Sequence, residues 1–231
     1  MKNNTILFDI NETVLDLSLL KPKFEKVFAD ESIMTLWFSM LLHSSTVSAL
    51  TGMKSTFATL AGDVLENVAA RQGINLAKSD KDEILSTLAN LPAHKDIKSA
   101  LTTLKDNGYR TVAFSNSSLD LIIQQITNAG LSNHFDHVIS VEETGSFKPD
   151  PKVYQFVADK LKKTIQTLRL VATHDWDTHG AMSAGMLSAY IDRSKAPYHP
   201  QYIQSSIIGN NMNQVVDKII EQDKQSSENN Y

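Results

Sequence analysis

Five short apolar runs constrain this chain more than any other feature. They are Thr5–Asp9 (TILFD), Arg110–Ser115 (RTVAFS), His137–Ser140 (HVIS), Leu168–Ala172 (LRLVA) and Ser188–Asp192 (SAYID). Each is too short for a buried helix, and the last four are separated by segments whose apolar residues recur about every 3.6 positions. Strands that are apolar on both faces need cover on both, so this alternation predicts a parallel sheet with helices on each side. Asp96–Asn107 is one such helix, with Ile97, Ala100, Leu101 and Leu104 on a single stripe and Gly108 in the stop position. Asp150–Lys163 is another, carrying Val153, Phe156, Val157 and Leu161.

The stretch from Ser18 to Pro92 breaks the alternation. It holds no strand candidate and at least three helix candidates. Ile33, Leu36, Trp37, Met40 and Leu41 follow helical spacing, as do Phe57, Leu60, Ala61, Val64, Leu65 and Val68. A parallel sheet places its ligand crevice at the carboxyl ends of its strands, and this block follows the first strand directly. The expected fold is therefore α/β: a doubly wound (Rossmann-like) parallel sheet of about five strands with a helical cap inserted after the first strand. Residues 1–17 and 93–222 form the core, 18–92 the cap and 223–231 a polar flexible tail (the chain ends EQDKQSSENNY).

Composition removes whole classes of function. Across 231 residues an apolar fraction of 42% and a charged fraction of 21% are ordinary for a folded chain and exclude wholesale disorder. Without cysteine there are no disulfides, zinc-thiolate sites, iron–sulfur clusters or thiol nucleophiles. A net charge of −4 without basic runs argues against nucleic acid as a partner. Met1–Asp9 lacks the apolar stretch of a signal peptide, and no window approaches the roughly 20 apolar residues of a membrane span. A cytoplasmic enzyme with no membrane partner is the expectation.

Polar clusters follow the strand candidates. Strand one runs into Asp9-Ile10-Asn11-Glu12-Thr13, strand two into Ser115-Asn116-Ser117-Ser118, and strand four into Thr173-His174-Asp175-Trp176-Asp177. Lys148-Pro149-Asp150 stands at a helix start. Singly, each reads as a helix cap, a turn or a solvated side chain. A doubly wound sheet gathers all of them along one edge, and that many decorative caps on one edge is improbable. Together they read as an active site with an Asp nucleophile and a Lys near it.

The order Asp-x-x-x-Thr, Ser-Asn, Lys-Pro, then an Asp ahead of Gly180-Ala181 resembles the haloacid dehalogenase superfamily of hydrolases. Trp37, Gly52 and Phe57, Phe114-Ser115-Asn116, Lys148-Pro149-Asp150 with Tyr154, and Trp176-Asp177 extend the resemblance to the L-2-haloacid dehalogenases (type II) over most of the chain. The resemblance implies that Asp9 displaces halide from C2 of a short 2-haloacid and that water then hydrolyses the Asp9 ester to the 2-hydroxy acid. It implies that Lys148 keeps Asp9 ionised, that Asp177 positions or activates the water, and that Thr13 and Tyr154 shape the site. It implies too that Ser115, Asn116 and backbone N–H groups after Asp9 bind the substrate carboxylate. Relatives of this type also form dimers.

Metal-dependent phosphatases of the same superfamily carry an acid two positions after the nucleophile and an acidic pair after strand four. Here the first position is Asn11, which exchanges no proton at neutral pH. Asp177 is the second acid of the pair, while the first falls near Ala172 or Thr173, and Asp175 is out of step. No metal and no cofactor are expected. Two departures from the dehalogenase pattern stand out. The Arg that takes up the halide is replaced by Phe38, and an Asn is replaced by His174. Losing a guanidinium beside a developing anion costs several kcal/mol, on the order of a strong charge-assisted hydrogen bond. Three readings stay open: a metal-independent dehalogenase, a magnesium phosphohydrolase, and a catalytically weak binding protein. Trp37, Met34 and Met40 read as cap core, His43 and Lys54 as cap surface, and His134 and His137 have no metal spacing. Glu12 reads as a solvent or turn residue.

Overall fold

The computed structural model describes residues 4–228. Its strands are β1 (Thr5–Phe8), β2 (Arg110–Ser115), β3 (His137–Ser140), β4 (Leu168–Ala172), β5 (Leu187–Ile191) and β6 (Ile207–Gly209). They form one parallel sheet in the order β3-β2-β1-β4-β5-β6. The expectation of about five strands is corrected to six. β6 spans only three residues, too few to show a period of their own.

The strand order makes β1 and β4 the centre. From β1 the chain builds outward through β2 and β3, then returns to β4 on the other side of β1 and continues outward. The two directions part between β1 and β4, where the crevice of such a sheet opens. Phe8 pairs with both Ala113 and Val171, so β2 runs on to Ser115 and β4 to Ala172 beside the segment that follows β1.

Between β1 and the rest of the sheet lie α1 (Lys21–Phe28), α2 (Ile33–Thr51), α3 (Phe57–Arg71) and α4 (Lys78–Leu88). Trp37 is fully buried there, its indole N–H donating to the Ala61 carbonyl at 3.0 Å and its ring 5.4 Å from that of Phe24. Thr56 caps α3 by accepting from the Thr59 N–H at 3.1 Å, and Gly52 closes α2 at φ 72°, a left-handed conformation suited to glycine. The expectation that no window approaches a membrane span needs correcting at α2. At 19 residues and mean hydropathy 1.3 it is long and apolar enough for one. Here Met34, Trp37, Phe38 and Leu41 are buried in the core, while Leu36, Val47 and Leu50 on the same helix are exposed.

The remaining helices are α5 (Ile97–Asp106), α6 (Leu119–Asn128), α7 (Pro151–Leu161), α8 (Asp175–Ser183) and α9 (Met212–Glu228). Asp150 caps α7 through the Lys152 N–H at 3.0 Å, and Pro151 supplies a preset first helical residue. The tail expected to be flexible from residue 223 instead continues α9 to Glu228; residues 229–231 lie outside the described residues. Asp223 holds it in place, accepting two N–H bonds from the buried Arg169 guanidinium at 2.9 and 3.0 Å. The Tyr109 hydroxyl donates to the same carboxylate at 3.0 Å.

Candidate active site

Asp9 follows the last residue of β1, and its N–H donates to the Val171 carbonyl at 3.0 Å, which ties it to the edge of β4. The chain then turns tightly, with Val14 and Leu15 N–H groups both on the Ile10 carbonyl. Within that turn Glu12 has φ 62°, in the left-handed region that non-glycine residues seldom occupy. Thr13 comes back beside Asp9. Its hydroxyl accepts from the Thr173 N–H at 2.9 Å and donates to Asp9 Oδ2 at 2.7 Å.

Lys148 is the hub behind Asp9. Its ammonium donates to Asp9 Oδ1 at 3.2 Å, Asp177 Oδ2 at 2.8 Å and the Phe114 carbonyl at 2.9 Å. Its backbone N–H donates to Asn116 Oδ1 at 2.9 Å, so the strand-two cluster sets the backbone that carries the cation. The Tyr154 hydroxyl donates to Asp177 Oδ1 at 2.6 Å. His174 meets two carboxylates: Nδ1 lies 3.1 Å from Asp9 Oδ2 and Nε2 lies 2.8 Å from Glu12 Oε2.

A pocket of about 250 Å³, its open mouth included, lies against these groups. Asp9, Asn11, Phe38, Ser115, Asn116 and His174 line it, joined by Leu42, Phe57 and Trp176. Thr13, Lys148, Tyr154 and Asp177 stand behind, bonded to Asp9 or to one another. Asp9, Asn11, Thr13, Phe38, Ser115, Asn116, Lys148, Tyr154, His174 and Asp177 thus meet in one place. Two others were missed. Glu12 is a partner of His174 rather than a solvent or turn residue alone, and only its backbone conformation reveals it. Gln125 is fully buried and donates to Asn11 Oδ1 at 3.1 Å and to the Leu88 carbonyl at 2.9 Å. A glutamine on the buried stripe of α6 was the available signal.

Electrostatics follow from burial and these partners. Burial on its own would raise the Asp9 carboxyl, but the Lys148 charge and the His174 hydrogen bond hold it well below the usual carboxylate range. Burial disfavours the imidazolium of His174, yet the hydrogen bonds to Asp9 and Glu12 push it up to about 10. Lys148 likewise resists burial through Asp177 and Asp9 and rises above its ordinary value. Burial lifts the Asp177 carboxyl above its ordinary value, with Lys148 opposing. Burial also pushes the Tyr154 phenol well up.

Residues 4–171 match the family model for haloacid dehalogenase-like hydrolases. The chain belongs to this family. Over 194 residues it is 29% identical to (S)-2-haloacid dehalogenase 1 of Pseudomonas sp. (strain CBS-3), an alignment covering 83% of this chain and 85% of that protein. It is 27% identical over 195 residues to (S)-2-haloacid dehalogenase H-109 of Pseudomonas putida, covering 84% and 87%. The solved L-2-haloacid dehalogenase of Xanthobacter autotrophicus superposes with a TM-score of 0.86 at 21% identity, covering 94% of this chain and 98% of that one, and so shares the fold.

Some members of the superfamily hold magnesium beside the nucleophile, and the residues here do not fit it. Magnesium needs hard oxygen ligands, usually with more than one carboxylate turned to it. The Lys148 ammonium already lies between Asp9 and Asp177, and His174 Nδ1 flanks Asp9 on its other oxygen at 3.1 Å. The out-of-step acid, Asp175, accepts from the Trp176 and His199 N–H groups at 2.7 and 3.0 Å, outside this cluster. Among the described residues no three His, Asp or Glu side chains form a group able to hold a metal ion.

Proposed function

We propose that this chain is a metal-independent hydrolase of the (S)-2-haloacid dehalogenase type, working through an ester on Asp9. One observation carries the reading. The pocket-lining Asp9 carboxylate is kept anionic by a buried ammonium 3.2 Å away, and Asn11 stands where a phosphatase needs an acid. The names of the curated relatives agree with it.

In the first half-reaction Asp9 Oδ1 attacks C2 of the haloacid, and the carbon–halogen pair leaves as halide with inversion at that carbon. An ionised carboxylate with little solvent around it is the nucleophile such a displacement needs. Phe38 and Leu42 from α2 and Phe57 from α3 wall the pocket, so the helical insert acts as a cap that keeps water from Asp9 until the ester forms. Ser115, Asn116 and the N–H groups after Asp9 receive the substrate carboxylate.

In the second half-reaction a water oxygen adds to the Asp9 carbonyl carbon and its proton passes to Asp177. The bond from that carbon to Oδ1 then breaks, and Oδ1 departs on the product as the 2-hydroxy acid. Lys148, in contact with both Oδ1 and Asp177, delivers the proton to Oδ1 and recovers one from Asp177. The regenerated Asp9 carboxyl releases its proton to solvent.

The test is release of halide and 2-hydroxy acid from L-2-chloropropionate or a haloacetate in the presence of EDTA, abolished by Asp9→Asn with the fold retained. Hydrolysis of p-nitrophenyl phosphate that disappears with EDTA would overturn it. Phe38, almost fully buried at the position where the resemblance implies a halide-binding Arg, favours a second reading, a binding protein with little turnover. A small carboxylate that raises the melting temperature without being consumed supports that reading, and any Asp9-dependent turnover ends it.

A further inference from the structure

We propose that His174 is a catalytic residue of ester hydrolysis, its imidazolium joining the Thr13 hydroxyl as an oxyanion site on Asp9 Oδ2, with Glu12 as the positioning residue that holds it. The proposal rests on the Asp9-ester reading above.

The two oxygens of Asp9 are not equivalent. Oδ2 receives the Thr13 hydroxyl at 2.7 Å and His174 Nδ1 at 3.1 Å, whereas Oδ1 receives Lys148 alone at the longer distance of 3.2 Å. The Thr13 hydroxyl is committed to this direction, because its oxygen already accepts from the Thr173 N–H. An oxygen with its lone pairs occupied by two donors is a poor nucleophile. Oδ1 therefore attacks the substrate, and Oδ2 becomes the carbonyl oxygen of the ester.

When water adds to the ester carbon, the carbonyl pair moves onto Oδ2. Oxyanion donors stabilise that charge when they sit about 2.7–3.1 Å from the oxygen that will carry it. Thr13 and His174 hold those distances before any reaction begins. As the tetrahedral intermediate collapses, the pair returns from Oδ2 and the bond to Oδ1 breaks, so His174 keeps its proton throughout.

The ring must be doubly protonated for this. Nδ1 faces the Asp9 carboxylate and Nε2 the Glu12 carboxylate, and only an imidazolium donates from both nitrogens. Its raised pKa, about 10, agrees with that arrangement. Once Asp9 is an ester its charge is gone, and Glu12 is the carboxylate left to retain the second proton. The charged groups around the ring are Asp9 and Glu12 in contact, Lys148 and Asp177 beyond Asp9, and the neighbouring Asp175. Trp176 stacks on the ring with centroids 5.2 Å apart, and Phe38 lies 6.2 Å away on the pocket side. Glu12 is fixed in turn, since its carbonyl bonds His94 Nε2 at 2.9 Å.

The experiment is rapid-quench turnover of L-2-chloropropionate by the full chain, by His174→Gln and by Glu12→Gln. The wild type should release halide and 2-hydroxy acid together. His174→Gln should release about one equivalent of halide per site in a burst, then turn over about 100-fold more slowly, the cost of one oxyanion donor. Mass spectrometry should then find the Asp9 peptide carrying the propionate adduct. Glu12→Gln keeps a hydrogen-bond acceptor but loses the charge, so the alkaline limb of kcat should move to lower pH by about one unit or more. A lost structural contact would not move that limb.

Hydroxy acid keeping pace with halide in His174→Gln overturns the proposal, as does a halide burst lost without any adduct. Should His174→Gln fail to fold, an unmoved alkaline limb in Glu12→Gln overturns it instead. Absence of Asp9-dependent halide release by the wild type is a different result. It overturns the ester reading itself and this inference with it.

Discussion

Lys148 Nζ lies 2.8 Å from Asp177 Oδ2, with neither side chain more than 1% exposed. In the proposed reaction the cation is thus anchored by a partner that is not consumed, and it stays beside Asp9 when the Asp9 charge is lost to the ester. Lys148→Met keeps most of the side-chain length and removes the charge. Two buried carboxylates are then left facing each other, and breaking such a cluster costs about 3–5 kcal/mol. The expected outcome in urea melts is a loss of that size, partly recovered on mild acidification as a carboxyl takes up a proton. Halide release should fall at least about 100-fold, because Asp9 loses the larger of the two charges that keep it ionised.

Stability should also depend on pH through His174. Its folded pKa, about 10, lies above the ordinary value of 6.5, so its contribution is complete below pH 6.5 and is lost as pH rises through about 10. Asp9 works in the other direction. Its carboxyl is depressed in the fold, so its contribution is present above the ordinary value of 3.8 and disappears only in acid. Denaturant midpoints taken from pH 6 to 10 should decline for the wild type and decline less for His174→Gln. Parallel slopes for the two would mean that the ring is neutral in the folded protein.

The sheet and the meeting of the site residues were legible because both are written in local pattern. Strands such as Leu168–Ala172 are buried on both faces and, Arg169 apart, apolar, and a polar cluster directly beyond such a strand has few structural uses. What escaped depends on contacts between distant segments. The three-residue β6 exists because Ile207 pairs with Ala189. The last turns of α9 look like a polar tail until Arg169, 54 residues away, is seen gripping Asp223. Glu12 reaches His174 through a backbone turn at φ 62°, which no side-chain propensity announces.

Phe38→Arg places a guanidinium where the sequence resemblance implies that L-2-haloacid dehalogenases carry theirs. The position is 4% exposed and its ring lies 6.2 Å from the His174 ring, so the new charge meets an existing one. Chloride and bromide should inhibit the variant more strongly, by about tenfold for one added charge-assisted hydrogen bond. The double change Phe38→Arg with His174→Asn removes the repulsion and should give the larger gain in halide affinity. A single variant binding halide as well as the double one would show that the two cations do not interact.

Asp223→Ala tests the end of the chain. Asp223 holds the buried Arg169 by two hydrogen bonds at 2.9 and 3.0 Å and receives the Tyr109 hydroxyl as well. Removing the carboxylate leaves a guanidinium only 4% exposed without its counter-charge, and loosens α9 from the sheet edge it covers. A broken buried pair of this kind costs about 3 kcal/mol, which in a domain of this size lowers the melting temperature by roughly 6–12 °C. Because the pair lies outside the pocket, turnover per folded molecule should not change below the melting transition. A variant that melts with the wild type would show the last turns of α9 to be dispensable, as the polar composition of the tail first suggests.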